Sequence, residues 1–275
     1  DAGIRIEQLH PPPFVNVVQR QKQKQSIMAS VALVGGTGLV GSHILTHLLP
    51  HQKISHIEFL ARRPPPPSIT SSNPPKLSIY TSTSDPSTTW STHLRTSTNP
   101  PAQILFSALA TTRANAGGLA PQRALEHDAN IALARAAKDA GAKVYVLISS
   151  FGASRDSRIP YMKLKGDIEE SIKAIEFERT VIVRPRLIAG QREERRVVEG
   201  VVRGVAGLAG WVSKPWLKDW WAQDAEEIAK AAISAGVREW EDLGKGVGEG
   251  EGQRKVVVLE GSDIVRLGRT EWKGE

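Results

Sequence analysis

A chain of 275 residues with no cysteine, 40 % hydrophobic and with a formal charge of +7 has room for one large core and excludes disulfides, zinc–thiolate sites and thiol nucleophiles. No window supplies the ~18 uninterrupted apolar residues of a membrane-spanning helix. Acids are interleaved with bases in "REERR" and "KDWWAQDAEE", so a nucleic-acid partner is not expected, and a basic cofactor pocket explains part of the excess equally well.

Residues 1–27 carry a proline triplet and the run "QRQKQK" but no sustained periodicity; they read as an unfolded extension or as a processed leader, and the domain is expected to start at Met28. "VALV" (31–34) then reads as a strand, "LVGSHILTHLL" (39–49) as a helix with Val40, Ile44 and Leu48 on one face, and "HIEFLAR" (56–62) as a second strand. "KLSIY" (76–80) and "AQILFSAL" (102–109) are strands three and four. A helix over 123–142 ends at Gly141, and "KVYVLISS" (143–150) is strand five. "YMKLKGDIEESIKAIE" (161–176) is a helix and "RTVIVRPRLI" (179–188) strand six. Strand and helix in series specify an α/β fold, a doubly wound parallel sheet of Rossmann type. The C-terminal part reads as a small lobe from about 190, with a helix "DAEEIAKAAISAG", a Gly/Glu linker, a last strand "KVVVLEG" and a helical tail "SDIVRLG". Residues 64–101 break the pattern: nine of the chain's seventeen prolines fall there, and 17 of the 31 residues from 68 to 98 are Ser or Thr. That composition cannot build a core of its own, so a mobile, non-catalytic loop region around strand three is expected.

Gly35, Gly38 and Gly41 follow a strand and open a helix. A turn that lets a pyrophosphate approach needs positions without Cβ, and the helix N-terminus offers free N–H groups to the phosphates; a merely tight turn is the bland alternative. Strand two ends in Arg62 and Arg63, where a fold selecting NAD usually places an acid, and two guanidiniums suit the 2′-phosphate of NADP; as the alternative they only solvate a strand end. Strand five ends in Ser149 and Ser150, and the next helix carries Tyr161 and Lys165. Four residues apart they share a face, so the ammonium can steady a phenol that exchanges a proton. In a doubly wound sheet the glycine turn, the serines and the Tyr–Lys pair converge at the carboxyl ends of the strands.

Together "GGTGLVG", "ISSFGA" and "YMKLK" resemble the short-chain dehydrogenase/reductase superfamily in its atypical branch. More closely, "ALATTRANAGG", "SSFGA", "YMKLKGDIE" and "VRPRLIAGQREERR" resemble Tat-interacting-protein-like oxidoreductases and a fungal group named for its occurrence in the mitochondrial proteome, over roughly residues 29–272. The resemblance implies that Tyr161 is the general acid for a carbonyl oxygen, that Lys165 holds the nicotinamide ribose, and that Ser150, or its neighbour Ser149, orients the carbonyl. It also implies that NADP, with NAD less favoured, lies along Gly35, Gly36, Thr37, Gly38, Leu39, Val40 and Gly41. Ala108, Leu109, Ala110 and Thr111 would sit beside its adenosine and pyrophosphate, and Pro185 and Ile188 would pass the nicotinamide. A small carbonyl substrate and a mitochondrial site peripheral to the outer membrane follow from the same resemblance, with a cytoplasmic protein as the alternative. The short Ser–Tyr separation and the low-complexity insert depart from the compact relatives.

Three signals stay outside this reading. Asn130 could hold a relay water, but a helix Asn is more often exposed. His43, His47 and His51 are helically spaced, yet Pro50 precedes the third and no carboxylate sits beside them in the sequence, so no metal is expected. Five of the seven tryptophans lie between 211 and 240; packing, a substrate cleft and a membrane interface are all open to them. The sequence thus reads as an NADP(H)-dependent oxidoreductase, the alternative being a sensor or scaffold that binds the dinucleotide without turnover.

Overall fold

The computed structural model describes residues 28–70, 75–96, 100–111, 113–189, 222–245 and 254–274. Its centre is a seven-stranded parallel sheet. In chain order the strands are β1 (Ala29–Val34), β2 (Ile54–Ala61), β3 (Leu77–Thr81), β4 (Ile104–Ser107), β5 (Val144–Ile148) and β6 (Arg179–Arg184), then β7 (Leu187–Ala189), β8 (Ala222–Asp224) and β9 (Lys255–Glu260). The sheet runs β3-β2-β1-β4-β5-β6-β9, while β7 and β8 pair separately, also in parallel. Sequence order reverses between β1 and β4, which opens a crevice at their carboxyl ends.

Strand periodicity divides the core. Along β1, Ala29, Val31 and Leu33 join one apolar layer, while Ala32 and Val34 join the other; along β5, Val144, Val146 and Ile148 separate in the same way from Tyr145 and Leu147. The first layer is covered by α1 (Leu39–Leu48), through Val40, Ile44, Leu45 and Leu48, and by α5 (Ala225–Gly244), through Ile228, Ala229, Ala232 and Ile233. A Cβ on Gly236 would stand 2.8 Å from Val146 Cγ2 and 3.0 Å from Phe106 Cζ, so α5 lies directly on β4 and β5. Asp224 caps this helix, its carboxylate accepting the Glu226 N–H at 2.7 Å.

The second layer is covered by three helices. They are α2 (Thr89–Thr96), the run Leu119–Arg123, Ala124–Asp128 and Ala129–Asp139 (together α3, its middle segment a π turn), and α4 (Pro160–Lys173). A last short helix, α6 (Gly261–Val265), runs into a second π turn at Arg266–Thr270.

The doubly wound sheet follows the sequence reading, with three differences. Strand six is split: Pro185 has no N–H for a ladder, and the chain leaves β6 there to form β7. Helix α3 starts at Leu119, not at 123, although it ends near Gly141, whose φ is +103°. The Ser/Thr/Pro region is also more than a loop. Within it Asp85 accepts the N–H groups of Thr88 and Thr89 at its carbonyl and that of Ser87 at its carboxylate, and α2 follows. Trp90 and Leu94, one turn apart, are almost completely buried against the second layer. Two apolar residues at helical spacing suffice to dock a helix that could not fold alone. Residues 1–27, the tryptophans at 211, 216, 220 and 221 and most of the Gly/Glu linker lie outside the described residues.

Candidate active site at the carboxyl ends of the strands

The three glycines of the first turn have different physical reasons. Gly35 has φ +77°, and a Cβ there would meet the Ala108 carbonyl at 2.4 Å. On Gly41 it would meet the Gly35 oxygen at 2.2 Å, so this glycine lets α1 start against β1. Gly38 is different: its added Cβ meets only the Gly35 oxygen, at 3.2 Å, and Gly38 is the N-cap of α1 with no side chain capping the helix end. Two glycines therefore serve the chain's own backbone, and the third leaves the helix N-terminus approachable from outside. Gly36 is a packing glycine as well, with Phe59 Cε2 2.2 Å from its missing Cβ.

The loop after β4 lies against this turn. The Ala108 N–H donates to the Val34 carbonyl at 3.0 Å, and the Ala108 carbonyl fills the space beside Gly35. This places Ala108, Leu109, Ala110 and Thr111 along the crevice, with Leu109 buried and Ala110 exposed. Arg62 and Arg63 follow the end of β2, both exposed, and no acid stands in the stretch "ARRPPPP". These residues fit a dinucleotide: an uncapped helix N-terminus for phosphate, and guanidiniums where a ribose or its 2′-phosphate would lie.

The serines differ in commitment. Ser149 is buried and its Oγ donates to Glu169 Oε1, whereas Ser150 is half-buried and its Oγ makes only a 3.3 Å contact with the Phe151 carbonyl. Glu169 is held in turn by Arg184, whose Nε and Nη2 donate at 3.0 and 2.6 Å, and Arg184 also reaches Glu260 at 2.9 Å. These bonds, above all those donated to Glu169, push the Arg184 guanidinium pKa up. Ser149 thus belongs to a network that joins β5, α4, β6 and β9.

Tyr161 occupies the first turn of α4, behind Pro160, and its side chain is 41 % exposed. Lys165 is buried one turn further on, its Nζ 5.8 Å from the Tyr161 ring centroid, so the shared helix face holds. Gly166 makes the loop before α4 fit: its Cβ would lie 2.2 Å from the Ser154 carbonyl carbon, and the Ser154 N–H donates to the Met162 carbonyl at 3.1 Å. Pro185 is bound to the same loop, its carbonyl accepting the Phe151 N–H at 2.8 Å, while Ile188 is half-buried in β7.

Sequence reasoning missed Glu126, the fully buried residue inside the π turn of α3. Lys165 Nζ lies 2.8 Å from its Oε2, and its Oε1 accepts from the Thr111 N–H and from Gln122 Nε2, each at 3.0 Å. Asn130 is not exposed. It is 1 % accessible, its Oδ1 accepts from Ser107 and from Tyr145 (3.0 Å), and its Nδ2 donates to the Glu126 carbonyl. Burial of Tyr145 raises its phenol pKa well above the usual range.

A carboxylate does stand beside His43 and His47: Glu226 of α5, whose ligand atom lies within 4.8 Å of theirs. Lys230 Nζ is already 2.8 Å from that carboxylate, supplying the positive charge it faces. Burial, then Lys230, lowers the His47 pKa. His51 is elsewhere in its bonding: its Nδ1 accepts the Lys53 N–H at 3.2 Å, and burial pushes it down to about 4.

No family model matches the chain. Over 250 residues it is 59 % identical to a Coccidioides immitis protein named "Protein FMP52, mitochondrial", covering 90 % of this chain and 99 % of that one. It belongs to the FMP52 family. A Neurospora crassa FMP52 protein is 41 % identical over 254 residues, covering 90 % of this chain and 98 % of its own. The FMP52 names state a mitochondrial location and no activity. Among solved structures, the reductase domain of PhqB from Penicillium fellutanum matches with TM-score 0.58 at 16 % identity, covering 89 % of this chain and 71 % of that one. A UDP-Glc/GlcNAc 4-epimerase from Campylobacter jejuni matches with TM-score 0.57 at 13 %, covering 87 % and 92 %. At such identities these likenesses show a shared doubly wound α/β fold and nothing finer. Among the described residues no helix is long and apolar enough to cross a membrane.

Proposed function

We propose that this protein is a mitochondrial NADP(H)-dependent oxidoreductase that interconverts a small carbonyl compound and its alcohol. The observation that carries the reading is that the uncapped α1 N-terminus at Gly38 and the Tyr161–Lys165 pair on one face of α4 both follow the carboxyl ends of strands in the same parallel sheet. Arg62 and Arg63 favour the 2′-phosphate of NADP over the bare ribose of NAD, because a pair of guanidiniums offers bidentate donors where an acid would accept hydroxyls.

The cofactor, held by the turn at Gly35–Gly41, the loop Ala108–Thr111, Lys165 and the stretch at Pro185 and Ile188, would supply a hydride to the carbonyl carbon. The chain's own part is the proton. Tyr161 donates its phenolic hydrogen to the carbonyl oxygen during reduction and takes it back from the alcohol during oxidation. The neighbouring Lys165 ammonium stabilises the charge left on the phenol oxygen. Ser150, not Ser149, orients the carbonyl, since the Ser149 hydroxyl is committed to Glu169. Phe151, Ile159 and Leu187 expose apolar surface beside these groups in the chain, which suits the carbon skeleton of the substrate.

The test is Tyr161→Phe against a carbonyl panel with NADPH. Turnover should fall by about two to four orders of magnitude while NADPH affinity stays within about twofold. Turnover that survives in Tyr161→Phe contradicts the assignment. A native protein that binds NADPH and reduces no member of the panel favours the sensor.

A further inference from the structure

We infer that Glu126 is a positioning residue of the dinucleotide site, acting through Lys165. This rests on the reading of the crevice as a dinucleotide site and adds a residue to it.

The two oxygens of this carboxylate divide the work. Oε1 accepts the backbone N–H of Thr111 and so ties down the loop after β4; Gln122, one turn earlier, donates to the same oxygen and to the Thr111 carbonyl, each at 3.0 Å. Oε2 faces the Lys165 ammonium at 2.8 Å, off the direction of a well-aligned hydrogen bond. Charge therefore fixes the lysine while its N–H donors keep other directions available. The π turn is fastened from below, because Asn130 donates to the Glu126 carbonyl and accepts from Ser107 at the end of β4 and from Tyr145. Loop and lysine meet in one side chain, and the backbone of the same residue is tied through Asn130 to the strand end. π turns of this kind gather at functional sites because the extra residue re-aims a side chain.

Stability alone does not account for the pair. Desolvating two charges costs about as much as their attraction returns, and an apolar pair of the same volume often serves a core better. The other charged groups around Lys165 have their own partners. Glu169, one turn on along α4, takes Arg184 and Ser149; Asp167 faces Arg123 at 3.4 Å; His127 of α3 contacts Asp128 and Ser171. Tyr161 is the remaining titratable group on this face. Among the described residues, Glu126 is the acid that meets Lys165.

The experiment is a double-mutant cycle read by NADPH fluorescence titration on the full chain, with thermal unfolding alongside. Glu126→Gln keeps the shape and an acceptor for Thr111 but removes the charge. It should weaken NADPH binding about tenfold. In a Lys165→Met background the same change should cost less than about twofold, because the residue through which it acts is gone. Glu126→Asp, which keeps the charge, should bind within about threefold of the native protein and provides the comparison should Glu126→Gln not fold. Native-like or tighter NADPH binding by Glu126→Gln overturns the inference, as does an equal loss with and without Lys165, or an equal loss in Asp and Gln variants. A native protein that binds no dinucleotide overturns the reading of the crevice itself, and that is seen before any variant is compared.

Discussion

The two sides of the crevice are built by opposite means. On the β1–α1 side the backbone packs against itself: Gly35, Gly36 and Gly41 exist because a methyl group at any of them would collide with the Ala108 carbonyl, Phe59 or the Gly35 oxygen. On the β5–α4 side the elements are joined by charge, with Lys165 on the buried Glu126, and half-buried Arg184 on the buried Glu169 and the half-exposed Glu260. The first construction leaves a rigid, uncharged rim with open N–H groups. The second buries the Lys165 ammonium beside the exposed Tyr161, where its charge is strongly felt.

The sharpest way to break this contrast is Arg184→Met, which leaves Glu169 buried with Ser149 as its remaining partner. It should cost about 3–5 kcal/mol in urea unfolding; a cost under about 1 kcal/mol would show that charge does not hold this side. Gly41→Ala is the counterpart on the other rim, where the new methyl would sit 2.2 Å from the Gly35 oxygen. A loss of about 3 kcal/mol is expected, and a native melting temperature would mean that the turn is not backbone-packed.

Acid tests the α1 side through His51, held neutral in the fold with its pKa at about 4 against an ordinary 6.5. Between those values the unfolded chain binds a proton that the native protein refuses. The contribution is therefore complete above pH 6.5 and lost as the pH falls toward 4. After allowance for solvent screening it amounts to about 2 kcal/mol, and His51→Gln should flatten the slope. An unchanged slope would move the effect to another group. The smallest effect on stability is expected from Gly38→Ala, under about 1 kcal/mol, with an NADPH affinity about tenfold weaker. Unaltered affinity would remove Gly38 from the phosphate site.

What could be read from the sequence follows the same division. The glycine turn is local: strand, glycines and helix are contiguous, and Val40, Ile44 and Leu48 announce the buried face of α1. Tyr161 and Lys165 are legible for the same reason, being four residues apart. Glu126 could not be found this way, since it lies 39 residues from Lys165 and a π turn sets its direction. Glu226 stands 179 residues from His47, so the sequence argument that no carboxylate joins the histidines had no means of seeing it. The average behaviour of helix asparagines predicts an exposed Asn130, but its face of α3 is pressed onto β4 and β5. Trp90 and Leu94 at helical spacing mark a docked helix inside an otherwise polar stretch, a signal that is local and lies in the sequence.

The central claim is that this crevice takes NADP(H), and a side-by-side fluorescence titration of the purified protein with NADPH and NADH tests it most directly. NADPH should bind more tightly by about tenfold or more, with the preference lost in an Arg62→Ala/Arg63→Ala double variant. Equal affinity for the two, tighter NADH, or a preference that survives the loss of both arginines would contradict it.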